Sequence, residues 1–203
     1  MTNKGKYYES QFEEATIGLL REAHWQYAFG DDIHRKYTDP LIEEDLRNFL
    51  AVQYKDKNLT TSEMDSIVAN LRNTGGQNDY YALRNAFLLY RDGYDFAYSD
   101  GRDNPFRLEY IDFEHPDHNI FRCVNQFVME QGRENRRPDI LLFINGIPVC
   151  IIELKNPTKQ NATIRDAHTQ ICTRYMRDIP ALLKYCALTV ISDGAKNALG
   201  TTY

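Results

Sequence analysis

RRPDILLFINGIPVCIIELKN, residues 136–156, is the stretch on which the fold turns. Two apolar runs flank Asn145-Gly146, a dipeptide suited to a two-residue hairpin turn because both positions accept positive φ. The runs are nearly unbroken rather than alternating, so both faces of the paired strands are expected to be covered. Charged residues stand only at the open end of this hairpin: Pro138-Asp139 on one strand and Glu153-Leu154-Lys155 on the other. A charge at the end of a buried strand is costly unless it is paired or used.

Register decides whether these charges can meet. An ideal turn at Asn145-Gly146 pairs residues whose numbers sum to about 291, which sets Asp139 opposite Ile152 and turns Glu153 to the other face. A bulge, a three-residue connection or a bent start at Pro138 is therefore expected, bringing Asp139 and Glu153 to one side. Two carboxylates held together repel each other and attract a divalent cation. Mg²⁺ suits such a site, since it takes one or two carboxylates and keeps its waters. Glu153 and Lys155 share a strand face, and the lysine would stabilise charge developing on a metal-activated reaction. The competing reading is structural: an ion pair from Glu153 to Lys155 or to Arg136.

Helices are expected before the hairpin. Residues 8–26 carry Phe12, Ala15, Leu19 and Ala23 at helical spacing. Residues 40–54 suggest a second helix, with Asp39 as N-cap and Pro40 early in the first turn. In residues 61–73, Met64, Ile67, Val68 and Leu71 form a stripe, Thr60 and Glu63 have capping-box spacing, and Gly75-Gly76 ends the run. Another helix is expected over 79–91. Residues 35–95 thus read as a helical insertion within one domain spanning 1–203. Residues 106–113 and 119–130 read as strands. A helix over 163–178 carries Ile164, His168, Ile171, Cys172, Tyr175 and Ile179 on one stripe, and Tyr185–Ser192 reads as the last strand before an Asp193-Gly194 turn. This order predicts an α/β (α+β) fold with a central mixed sheet flanked by helices.

Composition narrows the function classes. The chain has 203 residues and a net charge of −5, which by itself speaks against a nucleic-acid partner. The distribution matters more. Residues 1–132 hold 14 Lys/Arg against 23 Asp/Glu, whereas residues 133–177 hold 8 against 4. The positive excess surrounds the charged hairpin end, where phosphate would bind. No apolar run approaches the roughly 18 residues of a membrane helix, and the N-terminus has no signal-peptide core. No membrane association and a cytoplasmic location are expected. The four cysteines form no Cys-x-x-Cys pair, and Cys150 and Cys172 read as buried thiols. His115-Pro-Asp-His118 invites a metal reading, but its Pro and the lack of further ligands make it read as a loop.

RRPDILLFINGIPVCIIELKNP, followed by a Gln/Tyr helix and then DIP and ISDG, resembles the N-terminal endonuclease domain of type I restriction enzyme R subunits (HsdR). That domain is a member of the PD-(D/E)XK nuclease superfamily. The resemblance covers about residues 105–203 closely, and ESQFEEA at 9–15 more loosely. It implies a restriction-endonuclease-like sheet and a Mg²⁺-dependent cut in double-stranded DNA, with Mn²⁺ as a substitute. Asp139 and Glu153 would be metal ligands and Lys155 the catalytic lysine. It also implies a Gln-x-x-x-Tyr motif in the next helix. Here Gln170 and Tyr175 are five positions apart, about 140° on an α-helix, so as a regular helix the two would diverge. A supporting glutamate on the first helix would be Glu13, and Lys159 and Arg165 would meet phosphates. Partners implied are the methylation and specificity subunits of a restriction complex. ATP would enter only through a motor region, since no phosphate-binding G-x-x-x-x-G-K-[ST] loop occurs here; the chain reads as a piece of a larger subunit. The alternative is a catalytically silent nuclease-fold module for DNA binding or subunit docking.

Overall fold

The computed structural model describes residues 4–155, 164–194 and 196–201. The chain runs α1 (Lys4–Glu22), β1 (Gln26–Phe29), α2 (Glu43–Gln53), α3 (Thr61–Asn73), α4 (Asp79–Asp92), β2 (Tyr94–Phe96), β3 (Phe106–Leu108), β4 (Phe121–Asn125), β5 (Met129–Gln131) and β6 (Glu134–Arg136). It continues through β7 (Ile140–Ile144), β8 (Ile147–Leu154), α5 (Ile164–Thr169), a π-helical stretch Gln170–Tyr175, α6 (Met176–Asp178), α7 (Pro180–Leu183), β9 (Leu188–Ser192) and β10 (Asn197–Gly200).

Six strands form one mixed sheet in the order β1-β4-β7-β8-β9-β10. β1 is parallel to β4 and β8 to β9, and the remaining neighbours are antiparallel. Both faces of the central β7–β8 hairpin are covered, which explains its unbroken apolar runs. On one face Ile140, Cys150, Ile152 and Leu154 pack with Ile17, Phe12 and Leu20 of α1. On the other, Leu141, Phe143 and Ile151 pack with Ala167, Ile171, Tyr175 and Ile179 of the segment after β8. Helices α2–α4 build a neighbouring cluster around Leu46, Leu50, Ile67 and Leu71, joined to the sheet through Ile147 and Tyr185. This is an α/β fold of the restriction-endonuclease-like kind.

The hairpin turn has the expected geometry, with Asn145 at φ 50° and Gly146 at φ 75°. Its side chains also fasten the helical block. Asn145 is fully buried; its Oδ1 accepts the Ile120 N–H, and its Nδ2 donates to Tyr110 O. A Cβ at Gly146 would lie 2.1 Å from the Ile42 carbonyl oxygen, so glycine is required there for contact as well as for φ. The Thr60–Glu63 capping box forms at the start of α3.

Several local expectations differ from what folds. The first helix ends at Glu22, four residues short of the expected end; Ala15 and Leu19 on it and Ala23 just beyond are exposed, and the inward residues are Phe12, Ile17 and Leu20. The sheet takes the stripe with the larger side chains, since alanines offer little area to bury. The helix begun at Pro40 starts instead at Glu43, while Asp39 accepts the Leu41 N–H in a turn and pairs with Arg72. Of residues 106–113 only Phe106–Leu108 is strand, paired with β2 outside the main sheet. The run 119–130 divides into β4 and β5, separated where Gln126 takes a positive φ of 55°. β9 begins at Leu188, three residues later than expected, because Tyr185 is turned into the helical core to donate to Leu71 O. Cys150 is buried but Cys172 is only half-buried, and His168 is exposed. No helix among the described residues is long and apolar enough to cross a membrane.

Candidate active site

The site begins with a bulge. Ile144 pairs with Ile147 and Phe143 with Pro148, but Leu142 then pairs with Cys150, leaving Val149 as the extra residue on β8. From there Leu141 faces Ile151 and Ile140 faces Ile152, so the next position sets Asp139 beside Glu153. The inserted residue reverses which side chains of β8 reach which face. Leu141 and Ile151 point to the α5–α6 side. Asp139 and Glu153, two residues from each along their strands, take that same side. The Asp139 carboxylate also accepts the Leu154 N–H at 2.7 Å, which ties the start of β7 to the end of β8.

Glu153 is 2% exposed. Burial, then the nearby negative charge of Asp139, pushes its carboxyl group up to about 7, against the opposing pull of Lys155. Lys155 Nζ lies 2.9 Å from Glu153 Oε1 and 2.9 Å from Gln170 Oε1. Its backbone N–H donates to Ser192 O on β9, so the lysine is held by the sheet as well as by its charge. Arg136 does not serve Glu153; it pairs with Asp178 and Glu134.

The Gln170–Tyr175 spacing is resolved by the backbone. Residues 170–175 are π-helical, and the Met176 N–H donates to Ile171 O, five residues back. A turn closed by such bonds returns the chain to nearly the same face after five residues rather than four. Gln170 Nε2 therefore donates to Tyr175 OH at 2.7 Å, and to Glu153 Oε1. Tyr175 OH donates to Glu153 Oε2 at 3.3 Å. The divergence expected from regular α-helical spacing does not occur. Tyr175 is both a core side chain and a partner of the carboxylate: its ring packs with Leu141 and Ile151, and burial pushes its hydroxyl pKa well up.

Glu13 reaches the neighbouring edge. Its carboxylate accepts from Asn125 Nδ2 at 2.7 Å and from Gln126 Nε2 at 3.1 Å, and the Gln126 N–H donates to Asp139 O at 3.3 Å. Gln126 was not legible as a site neighbour: it lies in an unremarkable strand-like run, and only its positive φ and packing against Gly30 distinguish it. Lys159 lies outside the described residues, as does the side chain of Arg165. Asp112 pairs with His115 and His118, an acid three residues before the first histidine that the loop reading does not include.

The donor set suits a hard divalent cation. Asp139 and Glu153 could offer oxygen ligands from two strands, and repulsion between them would be relieved by a cation. Lys155 and Gln170 place N–H donors beside the same carboxylate.

The sequence pattern of the family described as "Type I restriction enzyme R protein N terminus" matches residues 6–203. Among curated proteins, the chain is 30% identical over 203 residues to the type I restriction enzyme HindI endonuclease subunit of Haemophilus influenzae. It is 31% identical over 197 residues to the putative type I restriction enzyme MjaIXP endonuclease subunit of Methanocaldococcus jannaschii. These alignments cover 95% and 93% of this chain but 19% of each relative. A third relative, the EcoprrI endonuclease subunit of Escherichia coli, is 34% identical over half of the chain and 31% of its own length.

Proposed function

The chain belongs to the type I restriction enzyme R protein N-terminal family, and from that premise we propose that Asp139, Glu153 and Lys155 form a metal-dependent centre that cuts double-stranded DNA within a type I restriction assembly. The observation that carries this reading is the bulge at Val149, which sets two carboxylates from adjacent strands on one face. A simple structural ion pair needs only Glu153 and Lys155. It does not need a second acid close enough to raise the first, nor a helix distorted to bring Gln170 and Tyr175 onto it.

Asp139 and Glu153 are the residues that would hold Mg²⁺ or Mn²⁺. The cation, when bound, polarises a phosphodiester and acidifies an attacking water. The protein's own groups act around it. The Leu154 N–H orients the Asp139 carboxylate. Tyr175 and Gln170 hold the Glu153 carboxylate in one rotamer. Lys155 sits 2.9 Å from Glu153 Oε1, where its ammonium would face the negative charge that builds on the phosphate. Gln126 steadies the backbone at Asp139 and connects it to Glu13. DNA delivery, ATP use and sequence choice would fall to a motor region and to methylation and specificity partners; an acidic chain has little electrostatic affinity of its own for DNA.

Calorimetric titration of the chain with Mn²⁺ tests the centre. Binding is expected at one equivalent or more, abolished by Asp139→Ala and by Glu153→Ala, with Lys155→Ala retaining it. Mn²⁺ affinity unchanged in both acid variants would leave the hairpin end as a structural ion pair in a docking module.

A further inference from the structure

A second constellation stands apart from the hairpin end, in the loop between β3 and β4. Asp112 is 4% exposed, and His115 and His118 lie on the solvent side of it. Both imidazoles aim Nδ1 at the same carboxylate oxygen: His118 Nδ1 is 3.0 Å and His115 Nδ1 3.5 Å from Asp112 Oδ2. The two rings stack with centroids 4.9 Å apart and planes 18° apart. One ligand atom from each of the three residues falls within 4.8 Å of the others.

We propose that Asp112, His115 and His118 form a separate cation site, selective for a borderline transition metal such as Zn²⁺, which pins the 112–119 loop to the helical block.

The distances admit a metal as well as the direct His118–Asp112 hydrogen bond. Zinc sits about 2.0–2.2 Å from nitrogen and oxygen ligands, so neighbouring ligand atoms in a tetrahedral site are roughly 3.3 Å apart. The two His–Asp separations bracket that value. The ligand set of two imidazoles and one carboxylate is common for zinc, and it disfavours Mg²⁺, which prefers oxygen. The half-exposed rings leave room for a water in the fourth position.

The surroundings are already built. Asp112 Oδ1 accepts the Glu114 and His115 N–H groups, leaving Oδ2 toward the imidazoles. Gln53 of α2 donates to Oδ2 at 3.1 Å and orients it from behind, as outer partners of metal ligands do. Asn119 accepts the Asp112 N–H and donates to Asp112 O. Asn119 also accepts from Asn145 of the hairpin turn. A cation here would join the loop, α2 and the hairpin turn, which is the junction between the helical block and the sheet.

Zn²⁺ and Co²⁺ are the probes. In the chain carrying Asp139→Ala, which removes a proposed ligand of the other centre, Zn²⁺ is expected to bind at one equivalent and raise the melting temperature. Co²⁺ should give visible absorption bands of a four- or five-coordinate site. His115→Gln and His118→Gln should each abolish the Zn²⁺-dependent shift and the Co²⁺ bands while both variants remain folded, His118→Gln with a slightly lower metal-free melting temperature because its contact to Asp112 is lost. Retention of both signals in the two histidine variants overturns the proposal. So does their loss in Cys172→Ser, whose thiol lies 3.4 Å from His168 Nε2 and offers the competing place for a soft cation. Absence of Zn²⁺ binding in the Asp139→Ala chain overturns it as well.

Discussion

Glu63 and Glu153 are each 2% exposed, yet their carboxyl groups are driven in opposite directions, Glu63 down to about 2 and Glu153 up to about 7. Glu63 caps α3. The Arg102 guanidinium donates to both of its oxygens, and the Thr60 N–H and hydroxyl add further donors. Those bonds to the charged form outweigh burial. Glu153 has a single lysine, a glutamine and a tyrosine, but it also faces burial and the charge of Asp139. One buried acid is fully satisfied and serves the fold. The other is left with unfavourable charge, which fits its proposed place in a metal centre. Burial alone does not set the direction of a carboxyl group's shift; the count of donors and the sign of the neighbours do.

The largest expected effect tests the functional side of this contrast. Lys155→Ala in a full-length subunit assembled with its partners should lower DNA cleavage by about 10²- to 10³-fold, the usual consequence of removing a preorganised charge from a developing anion. ATP-driven movement along DNA should continue. Near wild-type cleavage would remove the lysine from the mechanism, and a large fall in melting temperature would return Glu153–Lys155 to a structural role.

Glu153→Gln should stabilise the metal-free chain at pH 8, since burial and Asp139 hold the folded carboxyl up at about 7, above an unfolded glutamate. The sign follows from the raised value. The native state favours the protonated acid, so wild-type stability from this group is full below about 4.5 and is lost as pH rises through about 7. The advantage of the variant should therefore shrink as pH falls from 7 toward 4.5. Chemical denaturation across that range measures it, and a destabilised variant at pH 8 would contradict the electrostatic account.

Glu63→Gln should do the reverse. The depressed carboxyl stabilises the native state above its unfolded value and loses that contribution as pH falls toward about 2. The variant should melt below wild type at pH 7, with the gap closing in acid. Parallel pH profiles for the two glutamine variants would erase the comparison.

The smallest effect belongs to Tyr175→Phe. It keeps the ring in the core and removes the hydroxyl that donates to Glu153 and accepts from Gln170. A cost of about 1 kcal/mol is expected, the net worth of a typical hydrogen bond, with cleavage falling only several-fold. A loss as deep as that of Lys155→Ala would make the hydroxyl more than a positioning group.

Local chemistry in the sequence by itself determined the Asn145-Gly146 turn, the Thr60–Glu63 capping box, the three helices of residues 43–92 and the charged trio at the hairpin's open end. Each rests on residues within a few positions of one another, so spacing alone specifies it. Spacing also showed that a regular hairpin would separate Asp139 from Glu153, although not which device would reunite them. Tertiary structure decided that the device is a bulge at Val149, because the cores on both sides of the hairpin fix which β8 side chains must point where. It decided the π-helical turn for the same reason: Ala167, Ile171, Tyr175 and Ile179 must all bury against the sheet, and a five-residue step from Gln170 to Tyr175 fits only if the helix widens. It chose the Ile17 face of α1 over the alanine face, and within the loop between β3 and β4 it set Asp112 against His115 and His118. Each of these outcomes depends on surfaces contributed by distant segments, and no local pattern carries that information.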